Sequence, residues 1–231
     1  MQRRVREVRP GFTLVEVLVV VAILTVLGML LTVTVTGTMN YVSEARTRVE
    51  IGQLEDACEA FKLKYGHYPA SKIRLRERGG YGFPNSTTAV SDELDNFSRE
   101  YLTALFPEID LELYTRSGGL SWPDWNANGV ADPPIVLEGD ECLVFFLGGI
   151  PQRDPASGLI KLTGFAPDKS RPWLLTTGSQ SRVGPFFEFK ADRLAWPSPA
   201  RSVPNAFPVY HDPYGTPYAY FRVTAQQCAF H

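Results

Sequence analysis

The sequence predicts an α+β protein: one long N-terminal helix, membrane-spanning in its first half, packed by its second half against a small antiparallel sheet with helical and loop insertions. Three observations predict it. The run "FTLVEVLVVVAILTVLGMLL", from residue 12, is apolar apart from a single acid. The stretch after it repeats apolar residues at steps of three and four, the period of a helix with one buried face. The 19 glycines and 18 prolines fall mainly after residue 66, which punctuates the second part into short elements and loops.

The chain of 231 residues suits one globular domain plus an appendage. A net charge of −2 offers no basic surface, so no nucleic-acid partner is expected. Cys58, Cys142 and Cys228 cannot all pair within one chain. One disulfide would have three alternative pairings, and three buried thiols fit equally well.

Ahead of the apolar run stands "MQRRVREVRPG", with four arginines against one glutamate. Basic residues beside an apolar span hold that end in the cytoplasm. The uncharged stretch from Val17 to Val35 has 19 residues. At ~1.5 Å per residue it reaches ~28 Å, against a bilayer core of ~30 Å. The span is therefore set at about residues 14–36, and the chain beyond it is expected outside the cytoplasm. A secretory signal peptide fits less well, since its apolar stretch is shorter and ends at a small-residue cleavage site.

Glu16 is the anomaly. An acid at the centre of a bilayer costs roughly 2.5–3.5 kcal/mol on insertion scales, and such residues are usually functional. An opposite charge ~4 Å away, at an effective dielectric of ~20, gains about 4 kcal/mol and would offset it. The span contains no Lys or Arg. A free α-amino group would serve if the chain were cut after Gly11, leaving Phe12 as first residue and Glu16 as fifth.

"RPG" followed by "FTLVE" and an unbroken apolar helix resembles the class III signal of type IV prepilins and type II secretion pseudopilins. The resemblance implies a leader of residues 1–11, cleaved after Gly11 by a prepilin peptidase, and N-methylation of Phe12. It also implies that Glu16 pairs with the terminal amine of a neighbouring subunit during filament assembly. The implied partners are other copies and other pseudopilins in a helical filament, an inner-membrane assembly platform and membrane lipid. The implied location is the inner membrane, single-pass with the N-terminus cytoplasmic and the head in the periplasm, and then an envelope filament.

Past the span, "NYVSEARTRVEIGQLEDACEAFKLKYGHYP" keeps the helical period: Val42, Ala45, Val49, Leu54, Ala57, Cys58, Phe61 and Tyr65. Gly66 ends the helix and Pro69 prevents its resumption. The long helix thus covers 12–65, amphipathic over about 39–65, and the head covers 66–231. "LKYGHYP" resembles the turn that closes this helix in pseudopilins. "YHDPYGTPYAYFRV" resembles their Asp-Pro-Trp-Gly-Asn-Pro-Tyr-x-Tyr hairpin, here at about 208–223, with Tyr214 and Thr216 replacing the usual Trp and Asn. These matches favour a pseudopilin. An ordinary type IV pilin for adhesion, motility or DNA uptake is one alternative, and a calcium-stabilised, membrane-anchored binding module is the other.

Within the head, "SDELDNFSREYLTALFP" (91–107) reads as a helix capped by Ser91, with Leu94, Phe97, Tyr101, Leu102 and Leu105 on one face. "GDECLVFFLGGIP" (139–151) is a buried apolar segment of either type. "GPFFEFKADRLAW" is expected to start as a strand.

"DWNANGVAD" sets Asp124, Asn126, Asn128 and Asp132 at positions 1, 3, 5 and 9 of a loop, with Gly129 at 6 and the Val130 carbonyl at 7. That is the spacing of an EF-hand-like calcium loop. Position 12 is Ile135 instead of a bidentate acid, so an Asx-rich surface turn is the alternative. Calcium is the one candidate ligand, and no cofactor is required. His67, His211 and His231 fit no metal or nucleophile motif, and there is no G-x-S-x-G or Walker loop. The sequence points to a structural subunit rather than an enzyme.

"TVTVTGT" (32–38) is the weakest stretch of the long helix. β-branched residues and glycine each lose up to ~0.7–1 kcal/mol of helix propensity relative to alanine. In an assembled filament, hydrogen exchange is expected to be fastest there. Protection of 32–38 equal to that of 17–30 would contradict this.

Overall fold

The computed structural model describes residues 12–81, 93–154, 156–175, 181–196 and 207–222, without the side chains of 31–40. The chain separates into two compact units, residues 1–48 and 49–231. Helix α1 (Leu14–Tyr65) contributes to both. The leader, the Ser91 cap and the last residue of the expected C-terminal hairpin lie outside the described residues.

The first unit is the N-terminal part of α1. Its aliphatic side chains from Phe12 to Leu30 stand exposed. Among the described residues no helix is long and apolar enough to cross a membrane. The run read as a span, about 14–36, continues past Leu30 into residues whose side chains are outside the description.

The second unit is α+β. After α1 come β1 (Ile73–Leu75), α2 (Glu93–Leu105), α3 (Leu113–Arg116), β2 (Ile135–Leu137), α4 (Gly139–Gly148), β3 (Pro151–Arg153), β4 (Ile160–Leu162), a 3₁₀ turn (Ala191–Arg193), β5 (Leu194–Ala195) and β6 (Val209–Tyr210). The strands pair as three separate antiparallel ribbons, β1 with β2, β3 with β4 and β5 with β6. The expected single small sheet is thus divided, because strands of two or three residues pair once and then turn away.

α1 stops where the sequence requires. Gly66 takes φ +79°, and its N–H donates to the Lys62 carbonyl at 2.7 Å, a left-handed helix end that glycine adopts without Cβ strain. Leu54, Ala57, Cys58 and Phe61 are buried as expected. Val42, Ala45 and Val49, read as the same stripe, are exposed, and at residue 50 the helix buries a carboxylate instead.

The segment 139–151 proves to be helix followed by strand. α4 is closed at its start by a capping box between Glu138 and Glu141. It is buried from Glu141 to Gly148, with Phe145 and Phe146 at its centre. Phe146 meets Phe61 of α1 edge-on at 5.7 Å, and Phe145 meets Trp125, Phe165 and Phe207 at 5.1–5.7 Å. A helix hydrophobic on all sides is the interior element around which the rest is laid. Its first residue must be glycine: a Cβ on Gly139 would lie 2.1 Å from the Tyr220 carbonyl oxygen.

Two expectations are corrected. The inner face of α2 is Asp95, Ser98, Tyr101, Leu102 and Leu105, while Phe97 turns outward and stacks on Tyr101 at 5.7 Å. The cause is polar. Asp95 pairs with Arg74 (3.1 Å) and Arg76, and Ser98 accepts the Arg74 amide, so α2 is held to β1 by charge as well as by leucines. The "GPFFEFK" segment is not a strand; pairing begins only at Leu194. Phe186 packs on Phe61 and Phe189 on Tyr210, so these side chains fill the core from a loop.

Glu50 is 7% exposed and ties α1 to the C-terminal part of the chain. Arg193 donates to its Oε1 at 2.5 Å and the Tyr218 hydroxyl to its Oε2 at 2.7 Å, with Lys190 at 3.5 Å. Burial resists the charge, but the hydrogen bonds of Arg193 and Tyr218 and the charges of Arg193 and Lys190 overcome it, so Glu50 ionises below the usual carboxylate range. A carboxyl lowered on folding contributes stability above its unfolded pKa, and the contribution is lost as pH falls through the folded value. Glu50→Gln leaves Arg193 without its counter-charge and is expected to cost about 3 kcal/mol near pH 7, in line with removal of one partner of a buried pair. The difference from wild type should shrink towards acid pH in urea unfolding of the detergent-solubilised chain. An equal difference at every pH would exclude a charge effect.

Candidate functional site

At the start of α1, Thr13 and Glu16 form a reciprocal cap. The Thr13 amide and hydroxyl both donate to Glu16 Oε2, at 3.0 and 2.8 Å, and the Glu16 amide donates back to Thr13 Oγ1 at 3.3 Å. "TLVE" is thus a capping box, in which threonine and glutamate three residues apart satisfy helix N–H groups that have no partner inside the helix. The T-x-x-E spacing is the signal that could have found it, whereas the expectation for Glu16 rested on its charge, its position after Gly11 and the resemblance to a prepilin signal. Phe12, beside this cap, is exposed. Gly11 lies outside the described residues.

The second candidate site is the loop of residues 124–132. Asp124 accepts the amides of Asn128 (3.1 Å) and Gly129 (2.9 Å), and Asn128 Oδ1 accepts the Val130 amide at 2.7 Å. Gly129 takes φ +75° and Ala127 φ +54°, which curls the backbone around the side-chain oxygens. The carboxamides of Asn126 and Asn128 both donate to Asp132 Oδ2 at 2.7 Å. All the residues named from the spacing are therefore brought together, apart from Val130, whose amide is the group engaged. The loop closes through its own Asx hydrogen bonds. Among the described residues, no group of three or more His, Cys, Asp or Glu side chains could hold a metal ion.

The residue the sequence did not reveal is Glu77. Fully buried, it accepts the amides of Trp125 and Asp132, each at 2.9 Å, and so clasps both ends of the loop from 48 and 55 positions away. Burial, together with the nearby charges of Asp124 and Asp132, outweighs those hydrogen bonds and pushes its pKa up to about 7. A local motif scan cannot see a partner so far along the chain.

The C-terminal aromatic motif has a different geometry from a full hairpin. Asp212 Oδ1 accepts the amides of Tyr214 (2.8 Å) and Thr216 (2.9 Å), and Gly215 takes φ +83°. The two arms are joined by the His211–Pro217 bridge, with the Asp212 amide donating to the Thr216 carbonyl and the Tyr218 amide to the Tyr210 carbonyl, and by the stacked rings of Tyr210 and Tyr218 at 5.8 Å. β6 also pairs with β5. The motif's tyrosines turn to α1 and its exit: the Tyr218 hydroxyl donates to Glu50, and the Tyr220 hydroxyl donates to the Pro69 carbonyl at 2.9 Å. His67 lies near the Tyr101 ring, and His211 Nδ1 lies 3.3 Å from the Arg193 carbonyl; His231 is outside the described residues.

Residues 9–32 match the family model of the prokaryotic N-terminal methylation motif, which fits the type IV pilin and pseudopilin family. The motif implies processing by a prepilin peptidase and pilin-like assembly. No curated protein and no solved structure matches the chain.

Proposed function

We propose that this chain is a pseudopilin, a structural subunit of a type II secretion or related envelope filament. The observation that carries the reading is the methylation motif at 9–32 with Glu16 five residues into the processed chain. In this reading a prepilin peptidase cuts after Gly11 and methylates Phe12. The apolar first half of α1 anchors the subunit in the inner membrane, N-terminus inward, until an assembly platform transfers it to the filament. Glu16 then meets the terminal amine of the neighbouring copy, and head-to-tail contacts that do not close on themselves extend into an open helix. The Asp212–Tyr220 motif supports a secretion subunit over an adhesive or motility pilin, because it resembles the pseudopilin hairpin in residues and order. A binding module that only borrows the signal would be processed without polymerising.

Mass spectrometry of the chain purified from its native membrane is expected to show methylated Phe12 as the first residue. Glu16→Ala should still be processed but should lower filament yield by about 10-fold or more, since each docking step would lose its charge pair. A native Met1 terminus, or undiminished polymer, would end the reading.

The loop of residues 124–132 forms a second part of the proposal: it takes a calcium ion. Glu77, Asp124 and Asp132 repel one another, and a hard divalent cation ligated by carboxylate, carboxamide and carbonyl oxygens would relieve that repulsion. Binding requires the carboxamides of Asn126 and Asn128 to release Asp132 and offer their oxygens. Calcium added to the chelator-treated full chain is expected to raise its melting temperature, and Asp124→Asn to weaken the shift. No heat and no thermal shift at millimolar calcium would remove this part alone.

A further inference from the structure

A groove of about 720 Å³ opens beside the second-unit part of α1, within the ~300–1,000 Å³ of clefts that hold a ligand. Ile51, Leu54 and Cys58 of α1 and Leu143 of α4 give it an apolar floor, and residues 218–222 form one wall. That wall leaves the short ladder with β6 at Tyr218, whose amide still donates to the Tyr210 carbonyl. Beyond it the alternation of a strand goes on: Tyr218 is buried, Ala219 exposed, Tyr220 half-buried and Phe221 82% exposed. The inward side chains are held, since the Tyr218 hydroxyl donates to Glu50 and the Tyr220 hydroxyl to the Pro69 carbonyl. The backbone is not: among the described residues the N–H and C=O groups of 219–221 find no hydrogen-bond partner. An anchored stretch with an open row of backbone groups is a template for another strand.

We infer that this wall takes an extended segment of a partner protein by strand addition, one whose side chains alternate between apolar and Lys or Arg. Main-chain bonds to an open edge supply affinity in this mode, and alternate side chains supply selectivity. Every second side chain of the added strand faces the floor of Ile51, Leu54, Cys58 and Leu143, where an apolar group is favoured. The others meet charge. Glu55, Asp56 and Glu59 line the groove against one base, Arg222, whose guanidinium already donates to the Tyr68 carbonyl at 3.3 Å. All three acids stand exposed, and among the described residues Glu59 alone of the three holds a cation, Lys62 at 3.7 Å. A cationic strand complements that charge and an acidic one is repelled by it. A second copy of this chain is a poorer fit: among the described residues no strand exceeds three residues, and each is already paired along one side.

The test uses the full chain in a non-ionic detergent and a fluorescein-labelled peptide, Val-Lys-Val-Lys-Val-Lys. Fluorescence anisotropy is expected to show saturable binding. At saturation, alkylation of Cys58 should slow by ~10-fold or more, while Cys142, fully buried and outside the groove, keeps its rate as an internal check on folding. Glu55→Gln combined with Asp56→Asn, both at exposed positions, should weaken binding by about 5-fold or more without lowering the melting temperature. The peptide Val-Glu-Val-Glu-Val-Glu should not bind. Nor should the lysine peptide methylated on every backbone nitrogen, which keeps its charge and loses its N–H donors. Equal binding of the methylated peptide would reduce the contact to charge attraction and overturn the inference. Equal binding of the glutamate peptide, an affinity untouched by the double substitution, or an unchanged Cys58 rate would do the same. A Cys58 rate that falls as the protein alone is concentrated would assign the groove to a second copy and also overturn it. None of these outcomes bears on processing at Gly11.

Discussion

The head depends on one buried charge. Glu50 interrupts the exposed surface of α1 with a carboxylate that Arg193 and Tyr218 approach from different elements. Arg193 ends the 3₁₀ turn, its guanidinium lies 4.5 Å from the Tyr210 ring centroid, and Tyr218 comes from beyond the Asp212 turn. One side chain of α1 thus fixes the relation of β5, β6 and the aromatic turn. Replacing such a cluster with well-packed apolar residues is often neutral or stabilising, whereas removing a single partner is not. What the cluster does in the structure is link α1 to β5, β6 and the aromatic turn, whose own ribbon pairs over only two residues on each strand.

That dependence explains what could be read in advance. α1, its end at Gly66, and the turn organised by Asp212 rest on interactions within four residues, which local spacing reports. The α+β class and the second-unit core stripe of α1 follow from period and composition. The failures are non-local. Phe97 reads as inward by spacing, yet Asp95 and Ser98 win that face because Arg74 and Arg76 wait on and beside β1. "FFEF" alternates like a strand, but its rings find the core from a loop and its backbone finds no partner strand. Glu77 was invisible because its partners lie 48 and 55 residues away. In the site, position and charge at Glu16 were legible, and the 124–132 loop was legible in its turn geometry but not in what closes it.

The loop and the aromatic turn share one device. In each, an aspartate accepts two backbone amides a few residues ahead, and a glycine within the turn takes positive φ. The difference lies in what the neighbouring side chains do. Around Asp212 the tyrosines reach away to α1, so the turn serves as a lever arm for packing. Around Asp124 the asparagines turn inward to Asp132, so the oxygen- and nitrogen-bearing groups face one another. Only the second arrangement concentrates like charge, and only there does ligand chemistry enter the proposal.

The cap at Thr13 changes the problem that Glu16 poses. A bare carboxylate carried into lipid would be costly, and Glu16 already accepts two hydrogen bonds from Thr13. Hydrogen bonds to a charged group are the stronger kind, so the cap would offset part of the cost of carrying the carboxylate into an apolar medium. Both bonds fall on Oε2, and a carboxylate accepts at about four lone-pair sites. Oε1 is therefore the atom to which a neighbour's amine would come, without breaking the cap. In the proposed assembly the attraction of the amine would then add to a carboxylate that the cap already orients. On the proposed reading Thr13 would hold the carboxylate before docking and the amine would meet it during docking, so one four-residue stretch would serve both the waiting subunit and the polymer.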